Sequence, residues 1–243
     1  MTRPRLDLAV TLPWVAAGTD RFLALVDDLV AGSGDAALRA PSLLPGWTRA
    51  HVVGHLARNA DAVGRLATWA MTGVETPMYA SGEQRAADIE ATATLPARAL
   101  RDDVAATAAR LAEALAELAA LPADRLGVRV RGSSGRELPA AAVPWLRVRE
   151  VWVHALDLDL GASPAGLPAG VVDELLDDVT ATLQAKPGCP AVRLLPADRD
   201  REWRLSPGGR EPEATVTATA AELATWLTGR HTTPDAPQLP AWL

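Results

Sequence analysis

The run Arg147-Val148-Arg149-Glu150-Val151-Trp152-Val153-His154-Ala155-Leu156-Asp157-Leu158 decides how this chain is read. On a helix of about 3.6 residues per turn, Glu150 and His154 project from one face roughly 6 Å apart along the axis. A carboxylate and an imidazole so placed can share one cation. Only four histidines occur in the chain, and two of the others, His51 and His55, repeat the four-residue spacing in His51-Val52-Val53-Gly54-His55-Leu56. The first expectation is therefore a metal site held between two helices.

The neighbours of Glu150 and His154 sharpen that expectation. Val151, Trp152, Val153 and Leu156 are apolar, and an unpaired carboxylate buried among them would cost several kcal/mol. A cation compensates that cost. The rival is an ordinary ion pair, Glu150 with Arg147 on its own helix or with an arginine from a neighbouring one. Two histidines and one glutamate leave an open coordination position, as catalytic zinc requires. Periodicity leaves open which of His51 and His55 completes the set, and imidazole also suits nickel, copper and iron.

Working outward, Leu8, Leu12, Val15, Phe22, Leu25, Val26 and Leu29 recur at three- and four-residue steps, predicting a helix over about 5–31, bounded by Gly32-Ser33-Gly34. Pro41-Ser42-Leu43-Leu44-Pro45-Gly46-Trp47 reads as a turn, with Thr48 the N-cap of a histidine-bearing helix running to Gly73. The segment from Gly73 to Gly82 is a loop able to wall a pocket, followed by a short polar helical stretch over about 83–92. Leu100, Val104, Leu111, Leu115 and Leu118 mark an alanine-rich helix over 96–120. A short extended excursion around Val128-Arg129-Val130 precedes the helix that carries Glu150 and His154. Four long helices in succession predict an up-and-down bundle.

The texture changes after Gly161-Ala162-Ser163-Pro164. One helix over about 169–185 leads into three strand-like runs, 191–195, 202–205 and 214–219, and a last helix over 220–227. The fold class expected is α+β: a metal-binding helical-bundle domain over 1–165 and a small C-terminal α+β domain over 166–243.

Composition bounds the function. A hydrophobic share of 49% with 22% charged residues is that of a soluble globular protein. No apolar stretch approaches the roughly 18 to 20 residues of a membrane span, and the basic start lacks the apolar core of a secretion signal. A net charge of −6 without a basic cluster argues against a nucleic-acid partner. The single cysteine, Cys189, sits in a turn-like stretch and cannot form an internal disulfide, which agrees with a cytoplasmic location; it is read as a bystander and not a nucleophile. His-Glu-x-x-His, Gly-x-Ser-x-Gly, the P-loop and a dinucleotide-binding Gly-x-Gly-x-x-Gly are all missing, so peptidase, lipase and nucleotide readings lose their usual support.

Three motifs carry a family resemblance: Leu44-Pro45-Gly46-Trp47-Thr48-Arg49-Ala50-His51-Val52-Val53-Gly54-His55 with Asn59 beyond, Gly73-Val74-Glu75-Thr76-Pro77-Met78-Tyr79, and Arg149 to Leu158. On these, with Leu227-Thr228-Gly229-Arg230 and the terminal Pro240-Ala241-Trp242-Leu243, the chain resembles the mycothiol-dependent maleylpyruvate isomerases, a branch of the DinB-like metal-binding four-helix proteins. The first and third motifs mark the wider group. The Glu-Thr-Pro-Met-Tyr loop is more specific to the isomerase.

The resemblance implies that the metal is zinc, that its protein ligands are His55, Glu150 and His154, and that His51 is structural or stands behind the ligands. It implies further that Arg230 is a catalytic residue facing the zinc pocket across the domain junction. Mycothiol would take the open zinc position as a thiolate and add to the cis double bond of maleylpyruvate. Rotation about the resulting single bond and expulsion of the thiol would leave fumarylpyruvate, in a pathway of aromatic-compound degradation through gentisate. The substrate is a dianion entering an acidic protein, and the paired donors of a guanidinium suit its carboxylates. A monomer is expected, since one chain can build the whole pocket. Two alternatives stand beside this reading: a mycothiol S-transferase acting on other electrophiles, and a non-catalytic zinc-binding regulator.

Overall fold

The computed structural model describes residues 3–242 and divides into two compact units, Met1–Leu160 and Gly161–Leu243. In the first, four long helices form the bundle: α1 (Leu8–Gly32), α3 (Arg49–Thr72), α5 (Ala97–Ala119) and α6 (Val143–Asp157). Two shorter helices, α2 (Asp35–Arg39) and α4 (Gly82–Ala93), lie between them in sequence. Strands β1 (Arg129–Arg131) and β2 (Glu137–Pro139) pair antiparallel as a hairpin before α6. The five-residue α2 falls in a stretch that gave no periodic signal, being too short to repeat an apolar step.

The corners of the bundle are not in chain order. Helix α1 packs against α5 and α6, and α3 packs against the same two. Consecutive long helices α1 and α3 therefore lie on a diagonal, as do α5 and α6, and the simple up-and-down succession expected from sequence is not the one adopted. This order makes α3 and α6, far apart in the chain, direct neighbours.

Close approach on the α1 side rests on Gly18. A methyl group there would stand 2.5 Å from Val151 Cγ2 and 2.7 Å from Trp152 Nε1, so only glycine admits α6 at this depth. The indole of Trp152 also donates to the carbonyl of Trp14 at 3.0 Å. Across the other contact, Arg101 of α5 donates to Asp27 of α1 at 2.7 Å.

The 25 residues of α1 are long and apolar enough to cross a bilayer by length and composition, which corrects the reading that no segment qualifies. Its apolar residues are spaced and not contiguous, with Asp20, Arg21, Asp27 and Asp28 among them. The buried positions Val15, Phe22, Val26 and Leu29 form the stripe by which the helix joins the core.

The second unit holds α7 (Ala169–Leu183), α8 (Ala220–Leu227) and a three-stranded sheet of order β4-β3-β5, with β3 (Val192–Pro196), β4 (Trp203–Leu205) and β5 (Ala214–Ala218). Strand β3 runs antiparallel to β4 and parallel to β5. Its residues alternate buried and exposed, the period-two pattern of a sheet covered on one face. Helix α8 opens on a capping box between Thr219 and Glu222. It closes at Gly229 in the left-handed region, φ 77°, where Arg230 N–H bonds back to Thr225 O at 2.8 Å. Cys189 is buried in this unit, and burial raises its thiol pKa, opposite to the need of a nucleophile.

Replacing Gly18 by alanine is expected to destabilise the protein by about 1–3 kcal/mol through overpacking against α6. Thermal unfolding of the variant beside the parent protein checks it; an unchanged midpoint would mean that α1 and α6 separate without cost.

Candidate metal centre

Helix α3 starts at Thr48, its N-cap, and its first turn is closed by His51: Thr48 N–H donates to His51 Nδ1 at 3.2 Å and the Thr48 hydroxyl meets the same nitrogen at 2.7 Å. The other ring nitrogen of His51 lies 3.2 Å from Glu90 at the surface. His51 is thereby occupied as a cap. One turn further on, His55 points into the bundle, 4% exposed.

Helix α6 begins with Pro144 in its first turn, where the missing N–H costs nothing. Glu150 and His154 follow on the face turned to α3. Glu150 Oε2 stands 2.9 Å from His55 Nε2 and 3.2 Å from His154 Nε2. The potential ligand atoms of the three residues all lie within 4.8 Å of one another, the one such cluster among the described residues. The structure thus brings His55, Glu150 and His154 together and leaves His51 outside. Arg230 belongs to the second unit, in the turn after α8, where its Nη1 donates to Thr228 O.

Charges within the cluster are unevenly placed. Burial would push the Glu150 carboxyl up, but hydrogen bonds from His154 and His55 outweigh it and hold the group well below the usual carboxylate range. Burial dominates at His55 and pushes its pKa down to about 4, so the ring is neutral near pH 7. Burial opposes the charged form of His154 too, yet bonds to Asp157 and Glu150 prevail and raise its pKa. Asp157 makes the difference. Fully buried, its Oδ2 lies 2.7 Å from His154 Nδ1, a carboxylate behind an imidazole of the kind that orients metal-bound histidines.

A neutral His55 whose Nε2–H donates to Glu150 offers Nδ1 as an acceptor. Nη2 of Arg85, from α4, approaches that nitrogen at 3.4 Å, and the same guanidinium lies 5.6 Å from the centre of the Tyr79 ring. Burial raises the Tyr79 pKa. Arg85 and Tyr79 also line a cavity of about 310 Å³, walled by the 75–82 loop on one side and by Arg131, Gly132, Ser133 and Gly135 of the hairpin on the other. The cavity and the cluster thus meet at Arg85.

The donor set fits a divalent cation of the zinc type. Two imidazole nitrogens and one carboxylate, each on a helix and all within 4.8 Å of one another, are a donor set of the kind that an open zinc site uses. Asp157 and Arg85 are neighbours that sequence reading did not assign. Asp157 was visible as the i+3 partner of His154; Arg85 had no signal, because α4 is a short polar helix whose partner face is set only by packing.

A four-helix bundle with a partly buried two-histidine, one-carboxylate cluster shared by two helices defines a class of helical protein with a candidate metal centre. Comparison with known proteins narrows the class. Residues 4–159 match the profile of the mycothiol maleylpyruvate isomerase N-terminal domain, and residues 166–241 match that of the corresponding C-terminal domain. The chain belongs to the mycothiol-dependent maleylpyruvate isomerase family. It is similar to the crystal structure of the mycothiol-dependent maleylpyruvate isomerase, with 31% identity, a TM-score of 0.88 and full coverage of both chains. It is likewise similar to the structure of a histidine-to-alanine mutant of that isomerase, at 30% identity, a TM-score of 0.87 and full coverage of both chains. No curated protein matches by sequence.

Replacing Asp157 by alanine is expected to weaken retention of a divalent cation by about ten- to a hundredfold. Competition against a chromophoric chelator measures this, and affinity equal to that of the parent protein would remove Asp157 from the site.

Proposed function

We propose that this protein is a zinc- and mycothiol-dependent cis-trans isomerase that converts maleylpyruvate to fumarylpyruvate. The observation that carries the reading is the convergence of His55 Nε2 and His154 Nε2 on Glu150 Oε2, in a chain similar over its whole length to an isomerase of that name. In this proposal residues 1–165 act as the metal-binding domain and residues 166–243 as the C-terminal domain. Zinc supplies the positive charge that holds a thiol as its thiolate, and mycothiol supplies the thiol whose reversible addition to the cis double bond permits rotation.

The residues divide the work. His55, Glu150 and His154 hold the metal, and Asp157 keeps the His154 ring turned so that Nε2 faces the cluster. Glu150, ionised by its hydrogen bonds from the two histidines, contributes the one negative charge of the ligand set. Trp47 packs edge-on beside His55, the ring centres 5.7 Å apart. Arg230 is the proposed catalytic residue of the C-terminal domain, its planar donors suited to a substrate carboxylate. The enzyme is proposed to act as a monomer in the cytoplasm, within gentisate-type degradation of aromatic compounds.

His55→Ala, Glu150→Ala and His154→Ala are each expected to lose bound zinc and isomerase activity together, measured by elemental analysis and by maleylpyruvate absorbance with mycothiol. Full zinc retention in any one would strike that residue from the ligand set. Catalytic, not stoichiometric, use of mycothiol separates isomerase from S-transferase. Arg230→Met should raise KM or lower kcat/KM at unchanged zinc content; unaltered kinetics would end its proposed role.

A further inference from the structure

Arg147 is the largest of the fully buried side chains, 1% exposed. It stands three residues before Glu150 on α6, yet it does not pair with that carboxylate: among the described residues no acidic side chain lies within ion-pair distance of its guanidinium. Its Nη1 crosses instead to α3, donating to the carbonyl of Leu56 at 2.8 Å and to Oδ1 of Asn59 at 2.9 Å, while Nε has no partner. Asn59 is itself buried, 3% exposed. A guanidinium sealed in a core without a direct ion pair is a poor device for stability, because an apolar residue of similar volume packs there at no desolvation cost. Burial pulls its pKa down to about 10, against the opposing pull of the Glu150 carboxylate.

The position of this tie is informative. Leu56 follows His55 directly, Asn59 is one turn beyond it, and Arg147 is one turn before Glu150. The two hydrogen bonds therefore fasten α3 to α6 immediately beside the cluster, at the helix pair that supplies every one of its three ligand groups. We propose that Arg147 is a positioning residue that sets the separation and register of α3 and α6, and so the geometry in which His55, Glu150 and His154 receive a divalent cation. This rests on reading the cluster as a metal site but not on the reaction catalysed there. Arg147 touches neither metal nor substrate; it acts through Leu56 and Asn59.

Cobalt(II) titration of the full-length, metal-stripped protein tests the proposal, because affinity and the visible d–d bands report ligand geometry without any assay of activity. Arg147→Met, which removes the charge and keeps the bulk, is expected to fold with an unchanged or raised melting temperature while its cobalt affinity falls by about ten- to a hundredfold and its d–d bands shift. Parent-like affinity and spectrum in a folded Arg147→Met protein would overturn the proposal and leave the metal reading intact. Should Arg147→Met not fold, Asn59→Ala cuts the side-chain half of the tie: a weakened, spectrally altered site supports the proposal and a parent-like one overturns it. Failure of the parent protein itself to bind cobalt stoichiometrically would overturn the metal reading, and this inference with it.

Discussion

One carboxylate buried between two imidazoles is the constraint on which the first unit is organised. Glu150 cannot stay ionised in an apolar bundle without partners, and it has two, one from each of two helices separated by most of the unit's sequence. That contact exists only if α3 and α6 are neighbours at a fixed depth. The diagonal arrangement of α1 with α3 and of α5 with α6 makes them so. Gly18, by admitting Val151 and Trp152, sets how closely α1 supports α6 from behind. Packing and site chemistry are here one problem, since a small slide of α6 would move two ligands at once.

The two histidines show how environment divides a symmetric pair. Both bond the same carboxylate oxygen, one ring buried and the other nearly so, and their pKa values move in opposite directions. The causes differ: burial outweighs the bond to Glu150 at His55, with the nearby Arg85 cation adding a smaller push, whereas the Asp157 anion behind His154, together with Glu150, prevails over burial there. A proton favours His154 and avoids His55. The orientation of each ring is thereby set before any cation arrives, which is the sense in which neighbours of a ligand tune it.

Much of this was legible in sequence, and the reason it was legible is periodicity. The 3.6-residue repeat announced α1, α3, α5 and α6, and the four-residue spacing of Glu150 and His154 announced a shared face; the three strand-like runs after residue 190 announced the sheet. Periodicity describes one element's own face and says nothing of what that face meets. The corner order of the bundle was therefore missed, as was α2, which is too short to repeat. Arg147 shows the same limit most plainly. By spacing it is the natural partner of Glu150, and only the packed structure reveals that it reaches to Leu56 and Asn59 on the other helix. His51 and His55 have equal standing by spacing, and the N-cap at Thr48 distinguishes them.

The elements that hold the cluster differ in kind from those that wall the adjoining cavity. Its three ligand groups stand on helices, whose backbone hydrogen bonds leave little freedom to move a side chain by the fraction of an ångström that coordination would notice. The cavity is bounded instead by the 75–82 loop and the turn of the β1–β2 hairpin, segments whose backbone is not committed to a helix and whose residues can change without disturbing the bundle. Arg85 and Tyr79 belong to both, since they line the cavity while Arg85 lies beside His55. Substitution in the loop would alter what the cavity admits and leave the ligand set in place, whereas substitution at Arg147 or Gly18 would act on the ligand set from outside the cavity. A rigid cluster beside an adaptable wall lets one bundle keep the geometry of His55, Glu150 and His154 while the shape and charge of what the cavity admits vary.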